Sequence, residues 1–320
     1  MSPPLTITDR IYGTFTLASP TIIALLGTPT LQRLKGIGQY GMPDEFYHLP
    51  GFSRFEHSVG VMLLLLKLGA SEAEQIAGLL HDVSHTAFSH TVDWVVSDGR
   101  TENFQDEQHE RIIANSELPE ILEQYGYTAT QMSDYHNFTL LEQPLPGLCA
   151  DRVDYALREF PAPIVERCLI GITTRRGKIV FHDKTTALLF AEHFLERQTS
   201  HWGGFESISR WYLFAKVLRQ ALDEKIITFD DFWKDDDWVM TKIYRSKNPT
   251  LERVLQILKN KSLRHFPLSN EVRYKKFRFV DPEFVEKEKL LHLSDVDEEF
   301  RKKIEVAREE NNHGKPIVLV

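Results

Sequence analysis

Apolar residues recur at three- and four-residue intervals over most of the chain, and their densest run, Val59 to Leu68, sits in a helix expected from about Phe55 to Leu68. That run is broken by Lys67 and is far shorter than the ~20 residues that cross a bilayer, so it reads as a buried helix. Ser71 with Glu74 forms a capping box, which starts a second helix with Ile76, Leu79, Leu80 and Val83 on its apolar side. Carried on, the same helix puts His81 and His85, four apart, on one face. Upstream, Pro20 opens a helix closed by Gly27, and Thr28 with Pro29 supplies the N-cap and first-turn proline of another, to Ile37. The entry from Ile7 has turn signals between short apolar pieces and predicts only an irregular stretch with a short helix or strand.

Gly36, Gly38 and Gly41 break the pattern before a Gly-, Pro- and aromatic-rich segment that suits a loop packed over a pocket. Ser97 to Phe104 reads as a polar loop, and His109 falls near the start of the helix that follows. Short helices with turns fill 115–147, and the next helix, LCADRVDYALREF, carries Asp151, Asp154, Tyr155 and Arg158 along one face. On its own that face is either a charged solvent face or one whose Asp151, near the helix start, meets the His81 and Asp82 pair in space. Ile172 to Phe181 predicts a β-hairpin turning at Arg176 and Gly177. Helices follow at 184–197, 206–225, 236–244 and 251–259. Beyond them EVRYKKFRFV alternates like an edge strand, 294–312 is a charged helix and KPIVLV a last strand. The fold class expected is mainly α, with a short β-hairpin and a small α+β C-terminal lobe; the division is 1–265 for the core and 266–320 for the extension.

Composition removes several classes. With 42% hydrophobic and 26% charged residues among 320, the chain is ordinary globular protein. The net charge of -8 argues against coating nucleic acid, although a few cations in one cleft can still hold a small anion. Two cysteines, Cys149 and Cys168, build no disulfide framework, and no signal peptide or membrane span is apparent. The expected setting is cytoplasmic, with nuclear the other option.

The 13 histidines are not evenly spread. GLLHDVSHTAFSHTVD, from Gly78 to Asp93, holds His81, Asp82, His85, His90 and Asp93, a concentration of metal-binding and proton-transferring groups. An isolated His-Asp pair at a helix end is ordinarily just a polar terminus. Adjacent residues lie about 100° apart on a helix, so both reach one ion only if it sits over the seam between them.

His57 in RFEHS, the His81-Asp82 pair and Asp151 in ADRVDY resemble, in order, spacing and neighbouring letters, the His, His-Asp, Asp signature of HD-domain phosphohydrolases. Within that superfamily the chain is most similar to the deoxynucleoside triphosphate triphosphohydrolases, through TPTLQRLKGIGQYG, RFEHSVGV, HDVSHTAFSH and DRVDY, and more faintly to about residue 250. The resemblance implies an HD-domain helical bundle and one divalent metal ion (Mn, Fe, Zn, Ni, Co or Mg) held by His57, His81, Asp82 and Asp151. It implies His90 as general acid oriented by Asp93, with His85 and His109 on phosphate. It also implies Gln39 and Tyr155 at the sugar, Arg54 and Arg152 as cations for the phosphate chain, and Glu159 at the substrate. Arg152 stands where the mammalian branch has Lys, Glu159 where it has Asp, and Ser84 and Ala87 where Gly and Pro are usual. Because the chain begins close to the family core, an allosteric nucleotide site and a tetramer are not expected, and a simpler homo-oligomer stays open.

The function so implied is a metal-dependent nucleotide phosphohydrolase, foremost a dNTP triphosphohydrolase releasing deoxynucleoside and tripolyphosphate. The alternatives are a phosphatase or phosphodiesterase on another phosphoester and a non-catalytic nucleotide-binding regulatory module. The partner expected is a nucleotide, with neither membrane nor nucleic acid.

Overall fold

In a computed structural model that describes residues 3–97 and 102–319, the chain opens with an antiparallel pair, β1 (Leu5–Asp9) and β2 (Gly13–Leu17). The irregular entry expected from sequence is therefore a hairpin. Its turn is made by Asp9, whose Oδ1 accepts from the N–H of Ile11 and Tyr12, and by Gly13 at φ +83°. Next come α1 (Pro20–Leu26) and α2 (Pro29–Arg33), capped by the side chains of Ser19 and Thr28. Both have the first-turn proline that the sequence predicts.

The central layer is α3 (Arg54–Lys67) against α4 (Glu72–Leu80), whose Ser71 cap forms as expected, while the Glu74 carboxylate, instead of closing a capping box, accepts from the N–H of Leu140 and Leu141. α5 (Thr91–Val96), α6 (Phe104–Ala114), α7 (Leu118–Gln124) and α8 (Ala129–Ser133) follow. α9 (Ala150–Leu157) returns to pack on α3, and α10 (Ala162–Gly171) leads into the hairpin β3 (Ile172–Arg175) and β4 (Lys178–Phe181). Helices α11 (Lys184–Arg197), α12 (Phe205–Asp223), α13 (Asp236–Ser246) and α14 (Pro249–Leu258) follow, with a π-helical turn over Gln198–Trp202. The last segment adds β5 (Leu268–Arg273), β6 (Glu283–Glu286), β7 (Lys289–His292), α15 (Leu293–Val296), α16 (Glu298–Asn312) and β8 (Lys315–Val318). The architecture is mainly helical with small β parts, in agreement with the periodicity. β6 pairs parallel with β4 through Phe181 and Phe284, giving a sheet of order β3-β4-β6-β7, while β5 pairs with β8.

Three sequence expectations need correction. The strand read over 271–280 stops at Arg273, and 274–282 crosses the molecule without regular structure. α6 begins at Phe104, so His109 lies in mid-helix; of the loop expected before it, residues 98–101 lie outside the described residues. And α4 ends at Leu80, so His81 and His85 do not share a helical face. The carbonyls that would continue α4 are taken by other side chains: Arg33 donates to the carbonyls of Val83 and His85, and Gln105 to that of His81.

Two apolar clusters fill the interior. One is centred on α3, α4, α9 and α11 and the other on α12 to α14 with the loop around Phe46; Tyr155 packs on both. Between α4 and α5 the chain turns sharply, with Phe88 and Ser89 consecutively at φ +62° and +45°. Left-handed backbone at two non-glycine residues costs on the order of 1–3 kcal/mol each and needs external support. Asp236 at the start of α13 supplies it, accepting from Phe88 N at 2.7 Å and from Gly38 N at 2.9 Å. Burial raises this carboxyl to about 7, against the pull of the two N–H groups.

Asp236→Asn replaces one acceptor oxygen with an amide that has no lone pair to offer. The expected outcome is a loss of about 1–3 kcal/mol of stability in urea unfolding, from a buried N–H left without a partner.

Candidate metal centre and cleft

Three elements bring four side chains to one point. His57 comes from the first turn of α3, His81 and Asp82 from the C-terminal end of α4, and Asp151 from the first turn of α9. His57 Nε2 lies 3.0 Å from Asp151 Oδ1, and His81 Nε2 lies 3.7 Å from the same oxygen. One donor atom from each of His57, His81 and Asp151 falls within 4.8 Å of the others. Asp82 closes the set, its Oδ1 3.5 Å from His81 Nε2 and its Oδ2 3.8 Å from His57 Nε2.

The tautomer of His81 is fixed from behind, where Nδ1 donates to the Gly78 carbonyl at 2.8 Å. Its Nε2, buried and without a hydrogen-bond partner, faces the acids. A buried lone pair aimed at two carboxylates fits a divalent cation. The mixed nitrogen and oxygen donor set suits several such ions. A second cluster, Glu142, Cys149 and Asp151, is a poorer host, because burial pushes the Cys149 thiol up and keeps it protonated.

Electrostatics at the centre are opposed by burial and decided by pairing. Burial works against charge on His57, yet hydrogen bonds to Asp151 and Asp154 prevail and lift it to about 9. For His81 the Asp82 charge overcomes burial in the same direction. Against the penalty of burial, Asp82 is held well below the usual carboxylate range chiefly by Arg54, whose Nη1 donates to Oδ2 at 2.9 Å.

Behind His57 stands a layer that the sequence reading missed. His57 Nδ1 meets Asp154 Oδ2 at 2.7 Å, and Asp154 accepts from Arg158 Nε at 2.8 Å. Arg158 reaches on to Asp9 and Glu56. The face of α9 read as solvent-exposed is thus partly interior: the side chains of Asp154 and Arg158 have no solvent exposure. Its spacing, three residues after Asp151, was the available signal. Gly60 makes room for it, since a Cβ there would collide with both Arg158 Nη2 and Asp154 Oδ1.

The second histidine group lies on the strained turn and on α6. His85 Nε2 is 3.3 Å from Asp82 Oδ1, and burial together with Arg54 lowers its imidazole to about 3, so it stays neutral. The ring of His90 stands perpendicular to that of His85 at 5.0 Å. His90 Nδ1 lies 3.2 Å from Asp93 Oδ2, while Asp93 Oδ1 accepts from Phe104 N. His109 sits deeper, its Nδ1 3.0 Å from Ser84 Oγ and its ring edge-on to Tyr135, and it does not line the cleft.

That cleft, of about 310 Å³, is lined by His81, Asp82, His85, His90 and Asp151 on one side. Gln39, Arg54, Arg152, Tyr155 and Glu159 also line it, in different states. Gln39 Oε1 and the Tyr155 hydroxyl are buried with no hydrogen-bond partner. By contrast Arg152 donates to the carbonyls of Gln143 and Gly147 and to Glu142, and Glu159 accepts from His201 Nδ1 and Trp202 Nε1. Arg54 is divided between Asp82 and Ser89. The cations expected for phosphate are therefore already engaged within the protein. Others, from the basic run that the sequence reads as an edge strand, reach the same cleft: Lys275, Lys276 and Arg278 of the 274–282 crossing, with Glu102 against them.

Compared with known proteins, residues 54–159 match the HD domain family. The chain is 34% identical to the uncharacterized protein YdhJ of Bacillus subtilis, over 98% of this chain and 99% of that one. It is 29% identical to the metal-dependent phosphohydrolase cns2 of Cordyceps militaris, over 87% and 84%. Its likeness to the human deoxynucleoside triphosphate triphosphohydrolase SAMHD1 is 34% over a shorter region, 38% of this chain and 22% of that one.

Removing a donor and removing its support should differ in degree. His81→Ala or Asp151→Ala is expected to abolish divalent-metal binding, while Asp154→Asn and Gly60→Ala, which leave every donor in place, should weaken it about 10–100-fold in chelator competition.

Proposed function

The chain belongs to the HD-domain superfamily of metal-dependent phosphohydrolases, and on that premise we propose that it is a nucleotide hydrolase, foremost a dNTP triphosphohydrolase. One observation carries this reading. The cleft that holds the donor cluster also presents two buried polar atoms without partners, Gln39 Oε1 and the Tyr155 hydroxyl, which suit the hydroxyl and ring oxygens of a deoxyribose. The partial likeness to SAMHD1 supports the same substrate class.

His57, His81, Asp82 and Asp151 would hold a divalent ion, which when bound would acidify a water and polarise a phosphoryl oxygen. Around it the protein's own groups have distinct tasks. Asp154 and Arg158 keep the His57 ring oriented, and Arg54 fixes the Asp82 carboxylate so that both oxygens keep their place. His90, partly exposed at the cleft wall, donates its Nε2 proton to the leaving oxygen, and Asp93 at its Nδ1 orients the ring. His85, neutral, offers a hydrogen bond without adding charge next to Asp82. Tyr155, packed edge-on to Trp202, makes a rigid wall against the sugar. With water attacking the α-phosphorus and the bond to the sugar oxygen breaking, the products are a deoxynucleoside and tripolyphosphate.

The engagement of Arg152 by Glu142 and two carbonyls favours a second reading. A site with fewer uncommitted cations near the metal would take a smaller phosphoester, as a phosphatase or phosphodiesterase.

Incubation with Mg, Mn, Fe, Co or Ni and a panel of dNTPs, NTPs and monophosphates, read by product mass, is expected to give deoxynucleoside plus tripolyphosphate; phosphate released from monophosphates would establish the second reading instead. His90→Ala should keep its metal and lose about 10²–10⁴ in kcat. Full activity in that variant would remove the acid assignment.

A further inference from the structure

Glu102 is a buried carboxylate clamped by two cations that arrive from the far end of the chain. Its Oε2 lies 2.7 Å from Arg278 Nη2, and Oε1 pairs with the Lys275 ammonium. The Glu102 side chain is fully enclosed, and that of Lys275 nearly so. Lys275 Nζ also stands 3.8 Å from the centroid of the Trp211 ring, a cation–π contact. All four residues line the same cleft as the donor cluster.

Here one carboxylate meets two cations, with Lys276 beside them, so this wall of the cleft, though not its lining as a whole, carries more positive than negative charge. Glu102 also holds a left-handed backbone, φ +50°, which a glutamate adopts only under constraint. A carboxylate that bridges a guanidinium and an ammonium matches the charge and geometry of a phosphate on the same two groups.

We infer that Lys275 and Arg278 form a phosphate subsite of the cleft and that Glu102 is its resident anion, displaced by a phosphate of the incoming substrate. Lys275, Arg278 and Glu102 line the same cleft as Asp151, Tyr155 and His90. The subsite therefore adjoins both the donor cluster and the proposed acid, where a polyphosphate chain extends from the cleaved bond. This assignment rests on the hydrolase reading only for the identity of the anion.

The test is calorimetric titration of the full-length protein, as purified and with equal metal content in each variant, with inorganic tripolyphosphate. Glu102→Gln removes the competing charge but keeps the shape, and should tighten binding about tenfold; Arg278→Ala should weaken it by a similar factor, and the difference should shrink as salt is raised. A merely structural clasp predicts the opposite pattern: Glu102→Gln lowers Tm and leaves affinity unchanged or weaker. That result, or an unchanged affinity in a folded Arg278→Ala, would overturn the subsite. Turnover of dNTPs with tripolyphosphate affinity indifferent to both changes would sink the subsite and leave the hydrolase standing. The predicted affinity changes without dNTP turnover would support the subsite and sink the dNTP assignment.

Discussion

An imidazole with no solvent exposure, His57, is held between two carboxylates, Asp151 and Asp154, and most of the site follows from the need to balance that arrangement. Charges taken out of water are tolerated only when paired and hydrogen-bonded throughout. Arg158 meets this need behind His57 by binding Asp154, Asp9 and Glu56, and Arg54 meets it in front by binding Asp82. These pairs join β1, α3, α4 and α9 through polar contacts inside an otherwise apolar interior. The close approach of α9 to α3 that they require is available only because position 60 carries no side chain.

The same logic sets the turn between α4 and α5. His85, Ser89 and His90 are placed by a backbone that two left-handed residues bend, and Asp236, Arg33 and Gln105 hold it by capturing N–H and carbonyl groups from elsewhere in the chain. Rigidity at this point has a chemical use. On the proposed mechanism His90 and the His81-Asp82 pair must keep a fixed mutual geometry, and a turn pinned from three directions does so better than a loop. Strain there is offset by partners up to about 150 residues away in sequence.

The cleft divides into a part fully wired into the protein and a part that is not. Arg54, Arg152 and Glu159 have their hydrogen bonds satisfied internally, whereas Gln39 and Tyr155 present polar atoms without partners. A ligand gains most where it satisfies the second kind. The positive charge that an anionic substrate needs is concentrated on the far wall, at the segment crossing from β5 to β6.

The sequence by itself determined the helical architecture, because apolar spacing and N-cap chemistry are local: the Ser71 cap, the Pro20 and Pro29 starts and the hairpin at Gly177 all lie where local rules put them. It also identified the family, since His57, His81-Asp82 and Asp151 keep their neighbours and order. Tertiary structure alone decided the rest. The end of α4 at Leu80 depends on Arg33 and Gln105; the burial of Asp154 depends on Gly60 and on Arg158; and the basic run after Arg273 becomes a cleft wall because Glu102 meets it. Periodicity registers which face of an element is apolar. It carries no record of a distant partner for a charged side chain, so buried ion pairs between remote segments look in sequence like ordinary solvent-facing charges.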